Sequence, residues 1–152
     1  MKKSRRIKTI VELKAAQEKN ALEAWGAAQK KLLAMQIQVQ GLRKYRQDYQ
    51  DKFDQRAARG VNVEQLLEFR SFIDKLNKAI SGQEQALRLG ETEVLAKRKL
   101  WEALRQHTRS LQKVCDSALA VEAREEARSE QRELDERAAR TGRNSSGGMG
   151  NA

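Results

Sequence analysis

The apolar residues of this 152-residue chain recur with the spacing of a coiled coil. In the first half they follow alternating steps of three and four residues from Ile7 to Phe53, and 11 of the 14 positions are apolar. A second ladder of the same kind runs from Leu66 to Ala118, with 12 apolar residues at 16 positions. A seven-residue repeat sustained over this length predicts two helices wound into a left-handed supercoil.

The stretch "AARGVNVEQ" separates the two ladders and carries the signals of a tight turn. Gly60 can adopt the left-handed conformation that ends a helix. Asn62 is a favourable N-cap, and Gln65, three residues later, resembles the second half of a capping box. A connection this short makes the two helices antiparallel neighbours. The sequence therefore predicts a first basic coiled-coil helix over residues 1–60, a turn at 61–62 and a second coiled-coil helix over 63–118.

Reflecting the two ladders about residue 61 brings their core positions opposite each other. Phe53 then faces Phe69, Leu32 faces Gly90 and Ala21 faces Trp101, so that large side chains meet small ones at two of these levels. The predicted fold class is all-α, a long antiparallel two-helix coiled-coil hairpin whose second helix is longer. Beyond Ala118 we expect a charged helical overhang over residues 119–140 and a flexible, disordered C-terminal tail over 141–152.

Composition supports helix and gives no sign of catalytic chemistry. Charged residues make up 34% of the chain, aromatic residues 5%, and proline is absent. The single cysteine, Cys115, excludes an intrachain disulfide and a zinc site, and it fits a reducing compartment. His107 has no nucleophile near it in the pattern, and no glycine-rich phosphate loop occurs. We expect no enzymatic activity, no cofactor and no metal, nor do we expect a secretory signal or a segment that crosses a membrane.

The net charge of +10 is concentrated in the first helix. Residues 1–60 contain 15 Lys and Arg against 6 Asp and Glu, a net of +9, whereas residues 61–152 contain 16 against 15. Such a segment suits nucleic acid, an acidic membrane surface or an acidic protein. A nucleic-acid-binding coiled coil is thus the alternative function, although its basic region is usually an unpaired helix. A peripheral membrane helix is less favoured because the apolar face is used in the hairpin.

Both tyrosines and all three phenylalanines lie around the turn, where a second stripe runs beside the core. Reflecting one helix onto the other about the turn places four residues of this stripe on each helix, at the same distance from the turn and on the same side of the hairpin. Such partly exposed aromatic strips are typical of binding sites, although the same residues could merely widen the seam. The strip comprises Gln38, Leu42, Tyr45, Tyr49, Phe72, Leu76, Ala79 and Gln83.

The segment "GLRKYRQDYQ…RGVNVEQLLEFRSFIDKLNKAISGQ" resembles the centre of the flagellar FliJ family. That family shows a leucine–tyrosine–tyrosine run, a turn containing glycine, and a phenylalanine–leucine–alanine–isoleucine–glutamine run. "KRKLWEALRQ" is similar to its later part and "RRIKTIVELK" to its start, so the resemblance covers residues 5–120. Gln83 departs from the family pattern, in which histidine is typical.

The resemblance implies a cytoplasmic coiled-coil component of the flagellar type III export apparatus, with a part in motility and chemotaxis. It implies three partners: the export ATPase hexamer, the cytoplasmic domain of the export gate, and export chaperones. The eight strip residues would contact the gate, and the two chain ends would enter the ATPase ring. The protein would associate peripherally with the apparatus at the inner membrane, without inserting into it and without binding nucleic acid. The residues expected at the ring are Lys2, Lys3, Arg5, Arg6 and Lys8.

Overall fold

The computed structural model describes residues 2–149, except for the side chains of residues 147–149. Helix α1 spans Lys3–Ala57 and helix α2 spans Val63–Met149, with no strand among the described residues. The two helices run antiparallel and pack against each other, and α2 is longer by 32 residues, with 87 residues against 55. The predicted fold class, an all-α two-helix hairpin with a longer second helix, is confirmed.

The core follows the predicted ladders throughout. Every one of the 30 ladder positions is at least partly buried, including the polar members such as Lys14, Glu18 and Lys97. Among the described residues, the eight apolar residues that are buried all belong to the ladders. Burial in a two-helix packing is limited to one stripe per helix, so the period of the sequence determines which residues become core. The eight are Val11, Ala21, Ala28, Val39, Phe69, Leu76, Ile80 and Cys115.

The turn forms as its residues predict. Gly60 has a φ of 99°, which only glycine adopts readily. Asn62 accepts the backbone N–H of Gln65 at 2.8 Å, and the Gln65 side chain accepts the N–H of Asn62 at 3.2 Å, so the capping box is closed. Helix α1 ends at Ala57, three residues earlier than predicted, because the last turn tightens and the N–H of Gly60 bonds to the Ala57 carbonyl at 3.1 Å.

Helix α2 continues past the hairpin to Met149. The structure therefore differs from the expected disordered tail over 141–149, whereas residues 150–152 lie outside the described part of the chain. No proline interrupts this stretch, and its hydroxyls bond back within the helix, from Thr141 to the Arg137 carbonyl at 2.9 Å and from Ser146 to the Arg143 carbonyl at 3.0 Å. From residue 123 to 146 every side chain is exposed, so apart from the ion pair of Glu126 with Lys2 this stretch is stabilised by hydrogen bonds and charge pairs within the helix.

The chain divides into two compact units, and the larger comprises residues Gln17–Arg105 with the turn. Within it Gly90 lies in the seam, where a Cβ atom would stand 3.2 Å from the Met35 sulfur and 3.3 Å from the Leu32 Cδ1. This close approach confirms the predicted pairing of Leu32 with Gly90. Trp101, which we expected opposite Ala21, stacks on Trp25 with ring centroids 5.2 Å apart.

The second unit comprises Met1–Ala16 and Gln106–Ala152, the two chain ends. In it the Cys115 thiol is buried and donates to the Ser4 carbonyl at 3.8 Å. Ser4 is itself 6% exposed. It continues the first ladder by one step below Ile7, as Glu122 continues the second by one step beyond Ala118.

Candidate functional site

The turn-proximal strip lies entirely in the larger unit and combines buried and exposed positions. Leu76 is buried at 8% exposure, whereas Tyr45 is 51% exposed, and Gln38 and Ala79 are exposed as well. The remaining four residues, Leu42, Tyr49, Phe72 and Gln83, are partly buried. Three of the eight predicted residues are therefore exposed, four are partly buried and one lies in the core, and Tyr45 is the most exposed aromatic side chain among them.

Five aromatic rings from both helices form one cluster beneath and within the strip. Tyr49 stacks on Phe69 with centroids 5.5 Å apart and contacts Phe72 at 4.4 Å, while Phe53 stacks on Phe69 at 3.8 Å. Tyr45 meets Phe72 edge-on at 6.1 Å. Such ring pairs add stability beyond the area that they bury. Tyr49 is therefore partly structural, whereas Tyr45 has half of its surface available to a partner.

At the level of the strip, two polar contacts between the helices lie on the opposite side of the seam from Tyr45 and Phe72. There Arg43 donates to Glu84 at 2.8 Å and Arg46 donates to Asn77 at 3.0 Å. The hydrogen bond from Arg43 holds the pKa of the Glu84 carboxyl below its ordinary value. We call the side that carries Tyr45 and Phe72 the strip side. Because these interhelical contacts lie on the other side, they leave the strip uncovered.

The five cations at the start of α1 are all exposed. One of them is engaged within the chain, since Lys2 forms an ion pair with Glu126. The hydrogen bond that Lys2 donates to Glu126 and the negative charge of Glu126 raise the pKa of Lys2. No ion pair within the described residues involves Lys3, Arg5, Arg6 or Lys8, so these four cations are available to another molecule.

Glu122 acts as a cap for α1 from the facing helix. Its carboxylate accepts the backbone N–H of Ser4 at 3.1 Å and the Ser4 hydroxyl at 2.6 Å. These two hydrogen bonds lower the pKa of Glu122. The first turn of α1 contains no acidic residue, so Glu122 supplies the negative charge that a helix N-terminus favours. The sequence analysis missed this contact, although one further step of each ladder would have indicated it.

Exposed apolar residues near these cations were also missed. Ile10 and Leu13 on α1 are 46% and 58% exposed, and Val114 and Val121 on α2 are each 50% exposed. An open groove beside the first residues of α1 is lined by Lys3, Val114, Ala118 and Val121, among others. The chain ends thus combine positive charge with an apolar surface, a combination found in protein interfaces.

Comparison with known proteins decides the family. The model of the family described as flagellar FliJ protein matches residues 2–147. The chain belongs to this family. It is thus a component of the flagellar export apparatus, as its resemblance over residues 5–120 implied. No curated protein and no solved structure gives a significant match to this FliJ-family chain.

The described part of this FliJ-family protein offers surfaces rather than an enclosed site. No group of three or more His, Cys, Asp or Glu side chains lies close enough to hold a metal ion within residues 2–146. Neither helix, over its described length, contains a stretch apolar enough to cross a membrane.

Proposed function

We propose that this FliJ-family protein is a non-catalytic coupling component of the export apparatus. Its strip binds the cytoplasmic domain of the export gate, and its chain ends insert into the export ATPase ring and promote ring assembly. It thereby couples the ATPase to the gate and takes part in recycling export chaperones. This role places it in the cytoplasm, peripherally at the inner-membrane apparatus, and makes it necessary for motility and chemotaxis.

The observation that carries the proposal is the position of Tyr45. This ring is 51% exposed, lies on the side of the seam without the Arg43–Glu84 contact, and matches a tyrosine of the family's gate-contacting run. An exposed tyrosine held by neighbouring rings is a typical anchor, because it loses little conformational freedom on binding. Phe72 and Ala79 continue the same surface on α2.

The gate contact is tested with Tyr45→Ala, because removing this ring takes away an anchor without opening the core. We expect the dissociation constant for the purified gate domain to rise about 10-fold or more, as for loss of an interface hot spot. Isothermal titration calorimetry measures it, and circular dichroism checks that helicity is unchanged.

Leu22→Ala is the matched control for the gate experiment, since Leu22 is 45% exposed on the opposite side of the seam. It should leave gate affinity unchanged. Equal weakening by both variants would refute a dedicated strip. Tyr49→Ala is less informative alone, because its ring packs on Phe69.

The ATPase contact is tested by the activity and oligomeric state of the purified export ATPase with and without this protein. We expect stimulation and ring formation, both reduced by Arg5→Glu with Arg6→Glu. Arg70→Glu, an exposed charge reversal at the other end of the hairpin, should retain both. No effect of the unaltered protein on the ATPase, together with tight salt-sensitive binding to DNA, would favour the nucleic-acid alternative instead.

A further inference from the structure

The start of α1 carries a dense positive charge at an unfavourable place. Residues 2–11 contain five cations and no acidic residue, and the first acidic side chain of the chain is Glu12. The N-terminus of a helix already has a partial positive charge and backbone N–H groups without partners inside the helix. Cations in this turn repel that charge, so the local sequence favours unwinding of the first turn of α1.

Three contacts with α2 hold this first turn in place, and all three are made by Ser4. Glu122 accepts the backbone N–H of Ser4 at 3.1 Å and its hydroxyl at 2.6 Å. The Cys115 thiol donates to the Ser4 carbonyl at 3.8 Å. Ser4 is therefore buried, whereas the five cations around it are all exposed. The ion pair of Lys2 with Glu126 adds a further contact with α2.

Glu122 is the residue of this set that brings negative charge to the end of α1. Its carboxylate binds the Ser4 N–H, which has no acceptor within the helix, and it opposes the positive end of the helix dipole. A residue at the start of the same helix usually has this role, but the first turn of α1 contains no acidic side chain. The helical conformation of the segment therefore depends on a residue 118 positions further along the chain.

Two grooves show where the cations lie when the first turns of α1 are helical. Glu122 lines both grooves, and Lys3 lines one of them, whereas Arg5 and Lys8 line the other. Arg6 comes three residues after Lys3 and so lies on the same side as Lys3. Two cations thus project on each side of the seam, and this arrangement is lost if the segment unwinds, because the helix sets it. We call these four cations the basic collar.

We propose that Glu122 is a positioning residue for binding to the export ATPase. By keeping the start of α1 helical, it holds the basic collar on both sides of the seam, where the collar pairs with carboxylates of the ring. This inference rests on the proposed insertion of the chain ends into that ring. Charge indicates the partner's chemistry, because no cation of the collar forms an ion pair with a described side chain. Cations on both sides suit a ring that encloses the two helices.

The test titrates the purified export ATPase with the full-length protein and measures the concentration that gives half-maximal stimulation. Glu122→Ala should raise this concentration about 5-fold, the factor that corresponds to the loss of a helix cap. Glu125→Ala is the matched control, since Glu125 is exposed on the same helix and forms no ion pair with a described side chain. This control should stay within about 2-fold of the original chain.

The direction of the effect separates positioning from simple attraction between charges. Both substitutions remove one negative charge, so attraction alone would strengthen binding to an acidic ring in both variants. Unchanged or stronger binding in Glu122→Ala would overturn the proposal, and so would equal weakening in the two variants.

Hydrogen exchange checks that the change in Glu122→Ala is local. The amides from Ser4 to Lys8 should exchange at least about 10-fold faster in this variant, whereas those near Leu76 should be unchanged. Unchanged exchange from Ser4 to Lys8 would mean that Glu122 does not hold the start of α1, and the proposal would fail.

A double-mutant cycle shows whether Glu122 acts through the collar. In a chain that already carries Arg5→Ala and Arg6→Ala, Glu122→Ala should weaken binding by a smaller factor, because two of the cations that it positions are gone. Full multiplication of the two effects would show that Glu122 acts independently of the collar. No stimulation by the unaltered protein would remove the proposed function and this inference together, whereas stimulation that Glu122→Ala leaves unchanged would remove this inference alone.

Discussion

At the scale of single residues, the seam is decided by side-chain size. Gly90 is the one buried glycine among residues 2–146, and its missing Cβ is what lets Leu32 and Met35 approach α2. Glycine inside a helix otherwise costs about 1 kcal/mol relative to alanine. At Gly90 the absence of a side chain permits close packing, which offsets this cost. At Gly26 no neighbouring atom stands within 4 Å of where a Cβ would lie, so nothing offsets it.

This difference predicts that the same glycine-to-alanine substitution changes the free energy of unfolding by different amounts at the two positions. Gly26→Ala should raise the free energy of unfolding by about 0.5–1 kcal/mol, because only helix propensity changes. Gly90→Ala should gain at least about 0.5 kcal/mol less, because the new methyl group crowds Leu32 and Met35. Urea unfolding followed by circular dichroism measures both. An equal gain in the two variants would show that the seam is looser at Gly90 than these distances indicate.

Also at the residue scale, Glu122 makes the cap of α1 dependent on pH. Its hydrogen bonds from Ser4 keep the pKa below the ordinary 4.5 in the folded chain. A lowered pKa means that the stabilisation is complete above 4.5 and is lost as the pH falls through the lower, folded value. We expect the amide resonance of Ser4 to shift with a midpoint below 4.5 in an NMR titration.

Glu122→Gln is the control for this titration, because the amide keeps the shape of the side chain but does not ionise. Its Ser4 resonance should not show the transition. A midpoint at or above 4.5 in the unaltered chain would mean that the Ser4–Glu122 contact is not formed in solution.

At the scale of elements, the backbone N–H and C=O groups that lack a partner within the helix are satisfied differently at each helix end. The end of α1 uses tight turn bonds and Gly60, and the start of α2 uses Asn62 and Gln65. The start of α1 has cations in its first turn and depends on Glu122 of α2. Local sequence therefore specifies the turn, while the start of α1 is specified only when the helices pair.

Because the turn is locally specified, its cap can be varied without touching the core. Asn62→Ala should lower the free energy of unfolding by about 1 kcal/mol, since the N–H of Gln65 loses its acceptor. Asn62→Asp keeps an acceptor and should unfold within about 0.5 kcal/mol of the original chain. Chemical denaturation compares the three proteins. A neutral Asn62→Ala would indicate that water replaces the side chain at no cost.

At the scale of the whole molecule, the helical part of the chain extends beyond the part whose side chains are buried. Helix α2 is continuous to Met149, yet residues 123–146 bury no side chain. Isolated helices depend on local hydrogen bonds and charge pairs such as Glu136–Arg140 at 3.8 Å, and an exposed pair of this kind contributes little. Stability should accordingly be unequal along the chain.

Hydrogen exchange measures that inequality. Amides of residues 123–146 should exchange at least about 100-fold faster than those around Leu76 and Ile80, where opening requires separation of the two helices. Addition of the export ATPase should slow exchange at the chain ends if they enter its ring. Uniform protection along α2 in the isolated protein would contradict a solvated overhang.

The sequence by itself determined the helices, the turn and the identity of the core. The seven-residue period made all 30 ladder positions at least partly buried, and "GVN" with Gln65 determined where the chain reverses. These features are local or periodic, so they can be read without knowing which atoms meet. The strip of residues around Tyr45 and Phe72 was predictable for the same reason, since it lies at and beside the heptad positions of the core.

Only the tertiary structure decided contacts that depend on the direction of a side chain across the seam. It placed Trp101 on Trp25, brought Glu122 to Ser4, and extended α2 through residues that composition favours as a tail. It also placed the Arg43–Glu84 ion pair on the side of the seam opposite Tyr45. Charge counts along one helix cannot show that placement, because it arises only when two helices pair in one register and share a common side.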